Sequence, residues 1–473
     1  MTRAAKHRLV VGFLGLLFCI TVASPSAGMT QAAGMLEPPV RQLIVKYRDP
    51  ADANLAPTAQ EALLRAHVGV ALEYVRPMAG EAHVLRLPDA VPIAEAEHIA
   101  AQLRALPEVE YAEPDWVIQV AQVPNDPRYA DQWHYFETYG IGLPQAWQVT
   151  TGTTSVVVAV IDTGHRPHPD LASRIVGGYD FISDVRSAND GNGRDADPTD
   201  PGDWSAANEC YPGSPARNSS WHGTHVAGTI GAVTNNGVGV AGVTWRARLL
   251  SVRVLGKCGG TLSDLVDGMY WAAGFNVPGV PPNPTPARVL NLSLGGFGAC
   301  GSTLQAAINA INARGGVVVV AAGNANQPAA NYQPASCSGV IVVGATNRSG
   351  VRAWYSNYGS AVDISAPGGD SAGGILSTAN DGATFPGADS YRAYIGTSMA
   401  TPHVAGTAAL MLGVNPQLNA PLVEWLLRKT AKPFGPGHTC TGETSCGTGI
   451  VDARAAVLAA QRVRNTFLPI VQR

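Results

Sequence analysis

Three residue types able to carry out nucleophilic acyl transfer stand in short, well-marked segments of this 473-residue chain. AVIDTGHRPHPDL (159–171) places Asp162 at the end of an apolar run, followed by a Thr-Gly turn. WHGTHVAGTIGA (221–232) sets His222 before a stretch of small residues, and GTSMATPHVAGTAALML (396–412) sets Ser398 at the start of another. A serine hydroxyl is a poor nucleophile at neutral pH and needs a neighbouring imidazole to take its proton. The imidazole in turn needs a buried carboxylate on its other nitrogen, to fix the tautomer and stabilise the imidazolium. A serine that opens a helix also gains backbone N–H donors and a favourable dipole for a developing oxyanion. Ser398 is therefore the expected nucleophile, His222 its base and Asp162 the carboxylate behind the base.

The elements that must hold these residues can be read from periodicity. Continuous β-branched runs at 155–162, 248–255, 288–294, 316–324 and 340–346 predict strands buried on both faces, as in a parallel sheet covered by helices. Helical spacing falls between them at 224–233, 262–273, 303–313 and 397–412. The pattern predicts a doubly wound, mostly parallel α/β domain with helices on both faces, whose site forms at the carboxyl ends of strands. A smaller unit precedes it. Strand-like alternation at 42–47, 83–87 and 116–120, with helical spacing at 58–67 and 93–106, predicts a ferredoxin-like α+β sandwich. The polar, proline-bearing AQVPNDP (121–127) then reads as a cleavable linker.

Composition narrows the function classes. Charged residues make up only 14% and the formal net charge is −3, with no dense Lys/Arg block, so nucleic acid is not an expected partner. Arg3, Lys6, His7 and Arg8, then an apolar run over 9–22 and small residues over 23–28, predict an export signal over 1–27. A membrane anchor is the competing reading, but the run is short for a full span. The remaining divisions are 41–120 for the small unit, 121–460 for the large domain and 461–473 for a tail. Outside Cys19 there are six cysteines: Cys210, Cys258, Cys300, Cys337, Cys440 and Cys446. An even set behind an export signal favours disulfides, and sequence leaves fifteen pairings open.

The order Asp, His, Ser with DTG, HGTHVAG and GTSMATPHVAG resembles the subtilisin-like serine peptidases, over roughly 124–459. The small unit resembles that family's inhibitor-type propeptide, and the large domain looks closest to bacterial extracellular members with three disulfides. The pairing expected is Cys210–Cys258, Cys300–Cys337 and Cys440–Cys446. The resemblance implies that Asn324 supplies the side-chain donor of the oxyanion hole. It implies that Ser293, Leu294 and Gly295 pair with an extended peptide, and that Ala322 and Gly323 form the opposite pocket wall. A second clamping strand should come from 253–260, and Tyr332 or Gln333 should line the pocket floor. A peptide bound as a strand is read mainly through its backbone, so broad specificity is expected.

Structural Ca²⁺ is the implied cofactor, held by Asp126, Asp170, the Asn236 side chain and carbonyls of Val233, Val238 and Val240; hard oxygen ligands on a loop suit it. A second calcium loop is a candidate at Asp190, Asn192, Asp195 and Asp197. His225 and His403 are expected to be packed structural residues, and His165 and His168 surface groups. Expected partners are protein or peptide substrates and the chain's own propeptide, which would inhibit the peptidase until self-cleavage near Ala121; a monomer, free of membranes once the signal is removed, is expected. The rival readings are a catalytically silent binding protein on this fold and a lipase or esterase. The latter would normally carry its nucleophile in GxSxG after a strand, whereas Gly396-Thr397-Ser398-Met399-Ala400 opens a helix.

Overall fold

The computed structural model describes residues 39–49, 68–116 and 123–463. The expected export signal, the helix over 58–67, the strand positions 117–120 and residues 464–473 of the tail lie outside the described residues.

The leading unit runs β1 (Val40–Tyr47), β2 (Glu73–Pro77), β3 (Ala82–Val91), α1 (Ile93–Arg104) and β4 (Val109–Pro114). Alternation in β1 turns Leu43, Val45 and Tyr47 inward, where they meet Ala96, Ala100 and Leu103 of α1 in one core. The sheet is antiparallel in the order β2-β3-β1-β4, which is the ferredoxin-like arrangement. Its last strand is VEYAEP at Val109–Pro114, and Trp116 belongs to no strand, so the sequence reading placed this strand too late. The charged EYVRP of β2 forms an edge with no buried position, which leaves no apolar alternation to read.

The large domain contains β5 (Val157–Asp162), β6 (Ile175–Asp180), α2 (His222–Gly231), β7 (Arg248–Arg253), α3 (Leu262–Ala272), β8 (Val289–Leu292) and β9 (Gly296–Phe297). It continues with α4 (Ser302–Ala313), β10 (Val317–Ala321), β11 (Tyr332–Gln333), β12 (Ile341–Thr346), β13 (Ile364–Pro367), β14 (Ile375–Asn380) and β15 (Asp389–Tyr394). Helices α5 (Thr397–Val414), α6 (Ala420–Lys429) and α7 (Ala453–Arg462) complete the described elements. Seven parallel strands form the central sheet, in the order β13-β12-β10-β8-β5-β7-β6.

β5 shows why its sequence is apolar throughout. Val157, Ala159 and Ile161 enter a core with Val266 and Met269 of α3 and Ile308 of α4. Val158 and Val160 enter the opposite core with Val226 and Ile230 of α2 and Val404 of α5. Each buried valine or isoleucine contributes about 1.5–3 kcal/mol, so both faces of the strand must stay apolar. From β5 the chain builds β6 and β7 on one side, then crosses to β8 and beyond. The strand order therefore reverses between β5 and β8, and the crevice at their carboxyl ends receives Asp162 and Ser293.

The hairpin β14–β15 and helices α6 and α7 had no sequence expectation. β14 (ILSTAN) is wholly buried yet half polar, because Ser377 Oγ and Thr378 Oγ1 donate to the backbone carbonyls of His225 and Thr224 on α2. The six cysteines pair as Cys210–Cys258, Cys300–Cys337 and Cys440–Cys446, with Cα separations of 5.3, 5.0 and 5.2 Å. Among the described residues no helix is long and apolar enough to cross a membrane.

Candidate active site

Asp162 ends β5 with its side chain fully buried, and its Oδ1 faces Nδ1 of His222 at 2.7 Å. The same oxygen accepts the N–H of Thr163 at 2.8 Å. His222 starts α2 directly after Trp221, which takes a left-handed φ of 50° and donates its indole N–H to the Gly382 carbonyl. The helix start can approach the Asp162 turn because residue 223 is glycine: a Cβ there would lie 2.1 Å from the Gly164 carbonyl oxygen. The approach is bolted by Thr163, whose Oγ1 accepts the Gly223 N–H at 3.0 Å and donates to the buried Asp200 carboxylate at 2.8 Å. Burial works against the imidazolium of His222, but the charge and hydrogen bond of Asp162, helped by Asp203 and Asp200, outweigh it and raise the pKa above the ordinary imidazole value.

Ser398 is the second residue of α5, a helix buried nearly all round. Its Oγ donates to the Ser293 carbonyl at 3.0 Å rather than to His222. Four residues on, Pro402 lacks the N–H that would bond the Ser398 carbonyl, and this oxygen accepts the Ser293 hydroxyl instead, at 2.8 Å. The serine is thus tied to the end of β8 by two reciprocal bonds. The orientation of Asn324 follows from its partners. Its Oδ1 accepts the Thr397 N–H at 2.8 Å and the Thr397 hydroxyl at 2.9 Å, which turns the Nδ2 donors the other way. A Cβ placed on Gly396 would lie 3.5 Å from Asn324 Nδ2, 3.6 Å from the Ser398 N and 3.7 Å from Asn324 Oδ1, so the Asn324 amide group and the Ser398 N–H border one small space.

A cleft of about 680 Å³ runs from His222 and Ser293 along Leu294, Gly295 and Gly296 on one side and Val254, Leu255, Gly256 and Gly260 on the other. Gln333 also lines it, whereas Tyr332 packs edge-on against Phe297 at 5.7 Å. Ala322 and Gly323 are not in this lining; Ala322 is buried, with its carbonyl held by Asn357 Nδ2 at 2.8 Å.

His225 is packed as expected, stacked on Tyr394 at 4.3 Å with Nε2 at 3.0 Å from the Ile375 and Arg392 carbonyls; burial pushes its pKa down to about 3. His403 donates Nδ1–H to the Met399 carbonyl, and burial brings its pKa to about 4. The expectation for the other two histidines fails. His168 is buried, with Nδ1 accepting the Asp170 N–H and Nε2 at 3.2 Å from the Ser390 carbonyl, because β15 covers its loop. His165 is half-buried, pinned through its backbone to Pro198 and Asp200, and desolvation lowers its pKa to about 4.

Asp126 and Asp170 come together at the loop after α2. Asp126 accepts the N–H groups of Asn235 and Asn236, and Asp170 accepts Val240 N–H at 2.9 Å and Asn236 Nδ2 at 2.8 Å. Burial raises both carboxyl pKa values, and neither forms an ion pair with a cationic side chain among the described residues. Two converging buried carboxylates without a counter-charge fit a hard cation. Asn236 Oδ1 accepts the Val238 N–H, so this side chain ties the loop together. The second candidate loop is organised differently. Asp190 meets Arg253 at 3.0 Å, Asn192 donates to Asp195, and Asp195 and Asp197 accept the N–H groups of Asp197 and Thr199. These are turn bonds plus an ion pair, and among the described residues no group of three acidic, His or Cys side chains is arranged to hold a metal.

Sequence reasoning missed Thr163 and Asp200, whose hydrogen bonds hold the histidine helix against the strand end. Only Pro402, four residues past Ser398, carried a readable signal.

A buried carboxylate, an imidazole and a helix-borne serine at the switch point of a doubly wound sheet define a serine hydrolase with the chain order Asp, His, Ser. Residues 153–455 match the model of the Subtilase family. The chain is 48% identical over 431 residues to the extracellular protease of Xanthomonas campestris pv. campestris, covering 89% of this chain and 73% of that one. It is 42% identical over 443 residues to the extracellular basic protease of Dichelobacter nodosus, covering 90% and 72%. A solved protease from Pseudoalteromonas arctica PAMC 21717 superposes with a TM-score of 0.69 at 55% identity, covering 72% of this chain and all of that one. The chain belongs to the subtilase family. It is a secreted serine endopeptidase acting on peptide substrates.

Proposed function

We propose that Ser398, His222 and Asp162 are the catalytic triad of this peptidase, with Asn324 Nδ2 and the Ser398 N–H as its oxyanion hole. What supports the reading most is the 2.7 Å Asp162–His222 contact at the end of β5, with the Ser398 hydroxyl held on the Ser293 carbonyl at the end of the neighbouring β8. The Ser398 hydroxyl turns about Cα–Cβ from the Ser293 carbonyl towards His222 Nε2. It gives its proton to that nitrogen as Oγ attacks the scissile carbonyl carbon, while Nδ1–H stays on Asp162. The carbonyl electrons move onto oxygen, where the two N–H donors receive them. Collapse expels the amine with the proton from Nε2 and leaves an acyl-enzyme; water then repeats the sequence and restores the hydroxyl. Substrate lies as an extended strand between Ser293–Gly295 and the 253–260 run, with Gln333 at the pocket floor and Ala322 and Gly323 as the opposite pocket wall.

A serine-directed fluorophosphonate should label the mature protein at Ser398; an unlabelled protein would mean a silent binding module on this fold. Asn324→Ala should lower kcat by about 10²–10³ with little change in KM, a size taken from the homologous donor of subtilisin. Equal losses in kcat and binding would remove Asn324 from the oxyanion hole.

The domain reading completes the proposal: a signal over 1–27, an inhibitory propeptide over 41–120, the peptidase over 121–460 and a tail over 461–473, released as a monomer. Calcium belongs to the same reading. Asp126 and Asp170 would hold it, with carbonyls of Val233, Val238 and Val240, and it would fix the loop on which α2 ends. Saturating Ca²⁺ at 100 times Kd stabilises by about 2.7 kcal/mol, so Tm in calcium should exceed Tm in EGTA by roughly 4 °C. Asp170→Asn should abolish that difference. An equal Tm in both buffers would refute the site.

A further inference from the structure

The stretch between β6 and α2 does more than connect them. After β6 the chain runs out through 183–220 and returns along one wall of the substrate cleft, where Asp203, Ser205, Tyr211, Arg217 and Ser220 join its lining. This wall is fastened to the 254–260 edge. The Cys210–Cys258 disulfide joins the two, Lys257 Nζ lies 2.7 Å from the Glu209 carboxylate and 3.7 Å from the centre of the Trp204 ring, and Ser187 Oγ and the Lys257 N–H tie the backbone on either side. Ser205 and Arg217 exchange both backbone hydrogen bonds, at 3.0 and 2.8 Å. A wall held at so many points offers its side chains to a ligand without first having to be ordered.

The charges on this wall are unequal in their freedom. The carboxylate of Asp203 is engaged, accepting the Ser220 N–H at 2.6 Å and the Ser220 hydroxyl at 2.7 Å. Lys257 is consumed by Glu209 and Trp204. Arg217 is exposed, and among the described residues its guanidinium meets no carboxylate and donates no hydrogen bond. A guanidinium presents a planar set of donors suited to a carboxylate.

We propose that Arg217 is a specificity-determining residue, selecting an acidic side chain at one position of the peptide that occupies this cleft. The proposal rests on the cleft being the peptide groove, and it adds a charge preference to the otherwise backbone-read binding. The partner is a Glu or Asp side chain of an extended substrate. The contact is partly open to water, so the effect is modest and weakens as salt rises.

The test compares kcat/KM for peptide pairs with Glu or Gln placed in turn at each position near the cut, using the mature enzyme at low salt. Wild type should favour Glu over Gln about threefold to fivefold at a single position, and 0.5 M NaCl should shrink that ratio. Arg217→Gln should bring the ratio near one, and Arg217→Glu should favour Lys there. A ratio near one for wild type at every position, or one that survives Arg217→Gln, overturns the proposal. Failure of the groove reading would look different: Gly296→Trp, which fills the same cleft at a position where an added Cβ meets nothing within 4 Å, would then leave kcat/KM on neutral peptides untouched.

Discussion

Ser398→Ala is expected to lower peptide hydrolysis by about 10⁶-fold, a size taken from removal of the nucleophile in subtilisin. The residue should fold normally, because the deleted hydroxyl makes one hydrogen bond, to the Ser293 carbonyl, and the Ser398 carbonyl keeps its bond from the Ser293 hydroxyl. The loss is chemical: the neighbouring hydroxyl at the start of α5, on Thr397, is turned to Asn324 Oδ1. The same variant reports on maturation. If the leading unit is a self-cleaved propeptide, the precursor should accumulate uncut near Ala121 when no other protease is present. Cleavage of purified Ser398→Ala precursor at that point would defeat autoprocessing, and residual turnover within about 100-fold of wild type would defeat the nucleophile assignment.

Asp162→Asn should cost about 10⁴-fold in kcat, the size found when the triad carboxylate becomes an amide. Its amide can donate to Nδ1 of His222, which leaves the proton on Nε2, where the serine proton must go. The pH profile should move as well. Activity needs neutral His222, so it rises as pH climbs through that group's pKa. With Asp162 ionised, burial is outweighed and the limb lies above the ordinary imidazole range. The amide removes the largest opposing influence and leaves burial in charge, so the remaining activity should have its acid limb at lower pH. Measuring kcat/KM against pH for both forms decides it; an unmoved limb would mean that Asp162 does not set the state of His222.

Much of this site was legible because its chemistry demands residues of fixed type at element ends. Asp162 follows five apolar residues that can only be a buried strand, and His222 and Ser398 each precede a run of small and apolar residues that can only be a packed helix. Other features had no local signature. His168 looked like a loop residue, and it is buried because β15, more than 200 positions away, lies over it. β14 did not read as a buried strand, since its Ser377 and Thr378 are satisfied by α2 carbonyls that no neighbouring sequence announces. The strand taken to be 116–120 lies at Val109–Pro114, where the alternation is half obscured by glutamates on its open face.

The amino-acid order alone determined the candidate reacting groups, the family and the layers that carry them, since each of those depends on residue type and short-range period. Tertiary structure decided the rest: that Thr397 occupies Oδ1 of Asn324 and hence where its N–H donors point, how Thr163 and Asp200 draw the histidine helix onto the strand end, and that the disulfide-bound excursion before α2 walls the cleft. Those outcomes arise from hydrogen bonds and contacts between segments tens to hundreds of residues apart, and such partners exist only after the sheet has brought them together.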